Sequence, residues 1–218
     1  MNKFFTAKNV TVLGILLALV IALQTFGGSF SIGPVQLNFT LVPIVLGALV
    51  LGPFAGALLG FACGIVVMIQ VIMGLVPFYT LIWTESPVVA ALTCVVKTTV
   101  AGLLSGYVYK WTAKKNKYLA VFLASATVPI VNTALFILGC LGMWNAITQI
   151  AGGQNLLGFI LVGLVTFNFF IELALNLLVA PALYRIIKAV GGNFYTDEVE
   201  DKEDDNKDKE ETNLEEGE

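Results

Sequence analysis

An all-α integral membrane protein, a bundle of six transmembrane helices with both termini in the cytoplasm, is the fold class this sequence predicts. Hydrophobic side chains make up 57% of its 218 residues and charged ones only 12%, with a mean hydropathy of +0.87. A soluble domain carries about 25% charged residues. The apolar residues fall into runs near the ~20 that a spanning helix needs. The basic residues of the body then collect on one side of the resulting topology, which is the positive-inside pattern.

The spans are expected near residues 8–26, 39–51, 54–73, 87–110, 118–141 and 158–188. The second is short, and Gly52-Pro53 ends it with a tight turn into the third. With the N-terminus inside, Lys3, Lys8, Lys110, Lys114, Lys115, Lys117, Arg185 and Lys188 all reach the cytoplasmic side. The lysines before the first apolar run resemble a signal peptide. That run is long and no A-x-A site follows it, so it reads as an uncleaved first span.

Charge divides the chain into two parts. The first 196 residues hold nine basic and two acidic side chains, a net of +7, and the remainder holds three basic and thirteen acidic ones, a net of −10. Residues 1–192 are therefore expected to form the transmembrane domain, and 193–218 a disordered acidic cytoplasmic tail.

Composition also narrows the chemistry. The chain has no histidine, and Cys63, Cys94 and Cys140 stand alone in apolar runs. Histidine metal sites and histidine-dependent triads are thereby removed, and three inert buried thiols are expected. No GxxxxGK[ST] loop occurs, so this chain does not itself hydrolyse ATP by that route. Neither an enzyme, nor a bound cofactor or metal, nor a nucleic-acid partner is expected.

Lys97 is the conspicuous exception inside the spans. It lies ten residues from Pro87 and thirteen from Lys110, roughly 15 and 20 Å from the two helix ends. A stem of about 6 Å cannot carry the ammonium into bulk water. Insertion of such a charge costs about 2.5–3.5 kcal/mol, so a partner or a wet cavity is implied. Asn168, Glu172 and Asn176 recur at steps of four on the last span, sharing one face. Asn132 and Thr133 add polar groups to the fifth span. Two readings stand: Lys97 and Glu172 neutralise each other as interhelical glue, or Lys97 is the counter-ion of a substrate carboxylate.

The outer loops carry Phe30, Asn38, Tyr79, Trp83, Glu85, Trp144, Asn145 and Gln154. Rings beside amides and a carboxylate suit capture of a small polar organic molecule; an interfacial aromatic belt accounts for the rings alone. Small residues form another pattern. Ala7, Thr11, Gly14, Ala18, Ala22 and Thr25 make one continuous face of the first span, a surface another helix can approach closely. Gly56, Gly60 and Gly64 on the third span, with Gly102 and Gly106 on the fourth, read as packing within the chain.

Together these residues resemble the substrate-binding membrane subunit, or S component, of energy-coupling factor (ECF) vitamin transporters. The resemblance covers about residues 8–190. LNFTLVPIVLGALVLGPFAGALLGF (37–61) is similar to the family's segment joining its second and third helices, and AGLLSGYVYKW (101–111) to its small-residue segment before a basic loop. ALVIA in the first span maps the family's A-x-x-x-A motif onto Ala18 and Ala22.

The resemblance implies a multi-pass protein of the bacterial cytoplasmic membrane that binds a vitamin or related micronutrient near the outer surface. It would dock, through Gly14, Ala18 and Ala22, on a transmembrane coupling subunit served by two ATPase subunits, which alone use ATP. Substrate contacts are expected from Lys97, Asn38, Trp83, Glu85, Asn132, Asn168, Glu172 and Asn176. VNTALF (131–136) followed by LGCLGMW resembles the pantothenate-type branch, although Lys97 stands where such relatives would have arginine, losing bidentate carboxylate geometry. The competing classes are an ion-coupled secondary transporter, for which no convincing internal repeat is seen, and an intramembrane enzyme, for which no nucleophile or metal set accompanies Lys97 and Glu172.

Overall fold

The computed structural model describes residues 7–27, 31–32, 35–36, 38–152, 155, 158–160 and 165–189. The acidic tail expected over 193–218, and Phe30 and Gln154 of the outer loops, lie outside the described residues.

The chain runs α1 (Ala7–Gly27), a two-residue hairpin β1 (Ser31–Ile32) and β2 (Val35–Gln36), α2 (Leu41–Val50), α3 (Pro53–Ile72), α4 (Pro77–Glu85), α5 (Pro87–Ala113), α6 (Lys117–Gly142), α7 (Trp144–Ala151) and α8 (Thr166–Ala189). In the hairpin Ser31 pairs with Gln36 and Ile32 with Val35. Among the described residues five helices are long and apolar enough to cross a membrane: α1, α3, α5, α6 and the Asn168–Ala189 stretch of α8. Of the six expected spans, these five meet that length, and the second, already short in the sequence, is the one that does not. That span, α2, has ten residues, about 15 Å against a hydrocarbon core of about 30 Å.

The physical reason lies at both ends of α2. Gly52 takes φ +95°, a backbone region open to glycine at little steric expense, and Pro53 then opens α3 at its first position. What α2 lacks in length it makes up in enclosure. Leu41, Pro43, Ile44, Val45, Gly47, Ala48, Leu49 and Val50 are all buried, and a helix apolar on every side belongs in an interior. It contacts α1, α3, α5, α6 and α8.

The glycine stripes do pack within the chain. A methyl group added at Gly60 would fall on the carbonyl oxygen of Thr98, and one at Gly102 on that of Gly56; at Gly64 it would lie 2.6 Å from Val95 Cα. Position numbers rise on α3 as they fall on α5, so the two run antiparallel with backbones touching at several heights. Thr98 adds a hydroxyl bond to Gly60 O at 2.7 Å. Gly60→Ala should therefore lower the stability of the purified protein by about 1–3 kcal/mol. Gly14→Ala, where the new methyl meets nothing within 4 Å, should leave it unchanged or slightly raised. Equal melting temperatures for the two variants in detergent would contradict the close contact.

The turn from α5 to α6 is three residues long, capped where Asn116 Oδ1 accepts the Leu119 amide at 3.1 Å. It gathers Lys110, Lys114, Lys115 and Lys117 at one end of the bundle, and Arg185 and Lys188 near the end of α8 join them. The two short helices, α4 and α7, fall at the opposite end, inside segments the sequence reads as loops.

Candidate functional site

At the end away from the lysines, the helices part around a cavity. It is lined by Gln24 of α1, Asn38, Val67 of α3, Val76, Tyr79 of α4, Lys97 of α5, Asn132, Thr133 and Phe136 of α6, and Val165, Asn168, Phe169 and Glu172 at and before α8. The space open to the centres of water molecules is about 60 Å³, several times what one water requires.

Local periodicity explains why these side chains converge. On α6 the buried positions step by four through Ala120, Ala124, Val128, Asn132, Phe136 and Cys140. One apolar stripe thus carries Asn132 and Phe136 inward. On α8 Asn168, Glu172 and Asn176 are buried on the face that continues as Ala180 and Leu183. The two helices run antiparallel, and Asn132 of one meets Asn168 and Glu172 of the other in the half of the bundle away from the basic end.

Lys97 Nζ donates to the Tyr79 hydroxyl at 3.2 Å. It also lies 5.3 Å from the Tyr79 ring centroid and 5.4 Å from that of Phe136, within cation–π range. The two rings meet tilted at 56°, centroids 5.9 Å apart. Its stem also borders a shallow groove of Leu92, Thr93, Val96, Leu135 and Gly139 between α5 and α6. Across the cavity, Glu172 Oε1 accepts the backbone N–H of Asn38 at 3.0 Å, tying the end of the α1–α2 connection to α8. Among the described residues Lys97 and Glu172 line one space without forming an ion pair.

Beside the cavity is a closed polar knot. Gln24 Nε2 donates to Gln70 Oε1 at 3.0 Å, and Gln70 Nε2 to the Gln24 backbone carbonyl at 3.1 Å. The Thr40 hydroxyl faces Gln24 Oε1 at 3.3 Å and Asn38 Oδ1, with Cys63 Sγ 3.1 Å away. Buried amides satisfied in this way fix the ends of α1, α2 and α3 relative to one another.

Of the residues singled out in the sequence, Lys97, Asn38, Asn132, Asn168 and Glu172 line the cavity together. Three do not. Trp83 is half-buried against the core, Glu85 is exposed, and Asn176 lies one turn beyond Glu172, donating to its backbone carbonyl at 2.9 Å. Trp144, Asn145 and Gln149 are exposed on α7, which buries Ala146, Ile147 and Ala151 instead. Sequence reasoning missed Gln24, Phe136 and Phe169. Gln24 was detectable: it follows Leu16 and Val20 at steps of four on the buried face of α1.

The opposite face of α1 is bare. Ala7, Thr11, Gly14, Ala18, Ala22 and Thr25 are all exposed, outside the bundle.

No curated protein matches the chain. A family model, the ECF transporter substrate-specific component, matches residues 8–184. That stretch runs from the first turn of α1 into the last turns of α8 and takes in every element around the cavity, so the chain belongs to the family of ECF transporter substrate-specific components.

Proposed function

We propose that this chain captures a vitamin-type micronutrient at the outer side of a bacterial cytoplasmic membrane and surrenders it to an ATP-driven coupling module. Family membership makes it a membrane-embedded transport-binding subunit that works with other ECF subunits on a small-molecule substrate. The finer reading rests chiefly on one observation: opposite charges border a common cavity yet leave each other unpaired. A direct bond would have been the cheaper structure if the charges served only to hold helices together. A gap between them suits a cargo with a carboxylate for Lys97.

Pantothenate is the favoured cargo, a small acid rich in hydrogen-bonding groups. With both termini cytoplasmic, the basic end of the bundle faces inward and the cavity outward. The coupling module consists of one transmembrane subunit docked on the bare face of α1 and two ATPase subunits.

Purification from native membranes is expected to bring down the coupling and ATPase subunits, and titration across a vitamin panel to show high affinity for pantothenate. Uptake that persists without the ATPases and follows an ion gradient would overturn the reading.

A further inference from the structure

Resting on the proposal that this cavity is the cargo site, we infer that it reads both ends of its cargo: a carboxylate at Lys97 and Tyr79, and a hydrogen-bond-donating end, hydroxyl or N–H, at Glu172 and Asn132. The second half of that statement has its own support. Asn132 is 5% exposed, and among the described residues its buried Oδ1 has no hydrogen-bond partner. An acceptor left unmade in an interior calls for an occupant that donates. Among the described residues Glu172, 6% exposed, receives the Asn38 amide on Oε1, and a carboxylate has acceptor sites on both oxygens. Gln24, which also lines the cavity, already donates an amide N–H to Gln70.

The cavity is thus chemically polarised. A cation beside a phenol suits an anion, whereas Glu172 and Asn132 present acceptor oxygens that an anion would repel and a hydroxyl or amide N–H would satisfy. A plain alkanoic acid leaves those acceptors bare. A cation without an acid group has nothing to offer Lys97.

The full-length chain in lipid nanodiscs is titrated with five probes. These are pantothenate, panthenol (its carboxylate replaced by a hydroxymethyl), the analogue lacking both hydroxyls, riboflavin and thiamine. Pantothenate is expected to bind best, and loss of either end to weaken binding by about 10- to 100-fold. The variants assign the ends. Glu172→Gln should shrink the gap between pantothenate and its deoxy analogue and keep the gap to panthenol; Lys97→Met should do the reverse.

These crossed ratios compare ligands on one protein, so a general loss of stability does not mimic them. Unchanged ratios in Glu172→Gln overturn the inference. Tight binding of thiamine or riboflavin in place of the acid overturns it too, while leaving capture intact. If no probe binds, the capture proposal falls together with it.

Discussion

Lys97→Met is expected to weaken capture of an acidic cargo by at least about 30-fold while leaving the melting temperature of the empty protein unchanged or higher. Among the described residues the ammonium meets a phenol hydroxyl and two ring faces. Removing it leaves no buried carboxylate stripped of a direct partner, and it relieves an intramembrane charge that costs about 2.5–3.5 kcal/mol to insert. In the loaded site the same change strands the carboxylate of the cargo. Truncating one member of a buried charge pair costs about 2–5 kcal/mol, and each 1.4 kcal/mol is roughly tenfold in affinity. Ligand titration and thermal unfolding of the same preparation separate the two effects. Unchanged affinity combined with a lower melting temperature would make Lys97 a structural strut.

The double substitution Ala18→Leu and Ala22→Leu should reduce uptake to background with affinity for cargo unaltered. Both alanines are exposed one turn apart, on the face of α1 away from Leu16, Val20 and Gln24. Larger side chains therefore have room in the isolated subunit. Helix pairs that meet through small residues depend on close backbone approach, and two leucines hold a second helix off along that whole turn. Radiolabelled uptake in cells, set beside titration of the purified subunit, reads the two outcomes. Uptake at the normal rate would mean that the coupling subunit docks elsewhere.

Much of this architecture was legible because lipid makes polar residues conspicuous. Lys97, Glu172, Asn132 and Asn168 stand in helices where every polar atom is expensive, and the structure brings all four to one cavity. The same logic failed outside the spans. Trp83 and Glu85 sit in a segment the sequence reads as an outer loop, but that segment is the helix α4. Helical geometry turns Tyr79 inward and leaves Glu85, six residues on, exposed. Phe136 and Phe169 carry no such mark, since an aromatic ring lining a cavity and one filling a core look alike in sequence. The shortness of α2 was legible from Gly52-Pro53, whereas its enclosure by other helices was not, since an apolar run faces lipid or protein alike.

The touching backbones of α3 and α5 have a mechanical corollary. Helices locked by carbonyl-to-glycine contacts at successive turns resist sliding, because a shift of one or two residues would drive side chains into spaces sized for hydrogen. The ammonium therefore rides on a stiff plank. Across the chamber the ends of α1 and α2 are fixed by hydrogen bonds at Gln24, Asn38 and Thr40 rather than by touching backbones. One wall of the chamber is thus set by backbone contact and the other by side-chain hydrogen bonding.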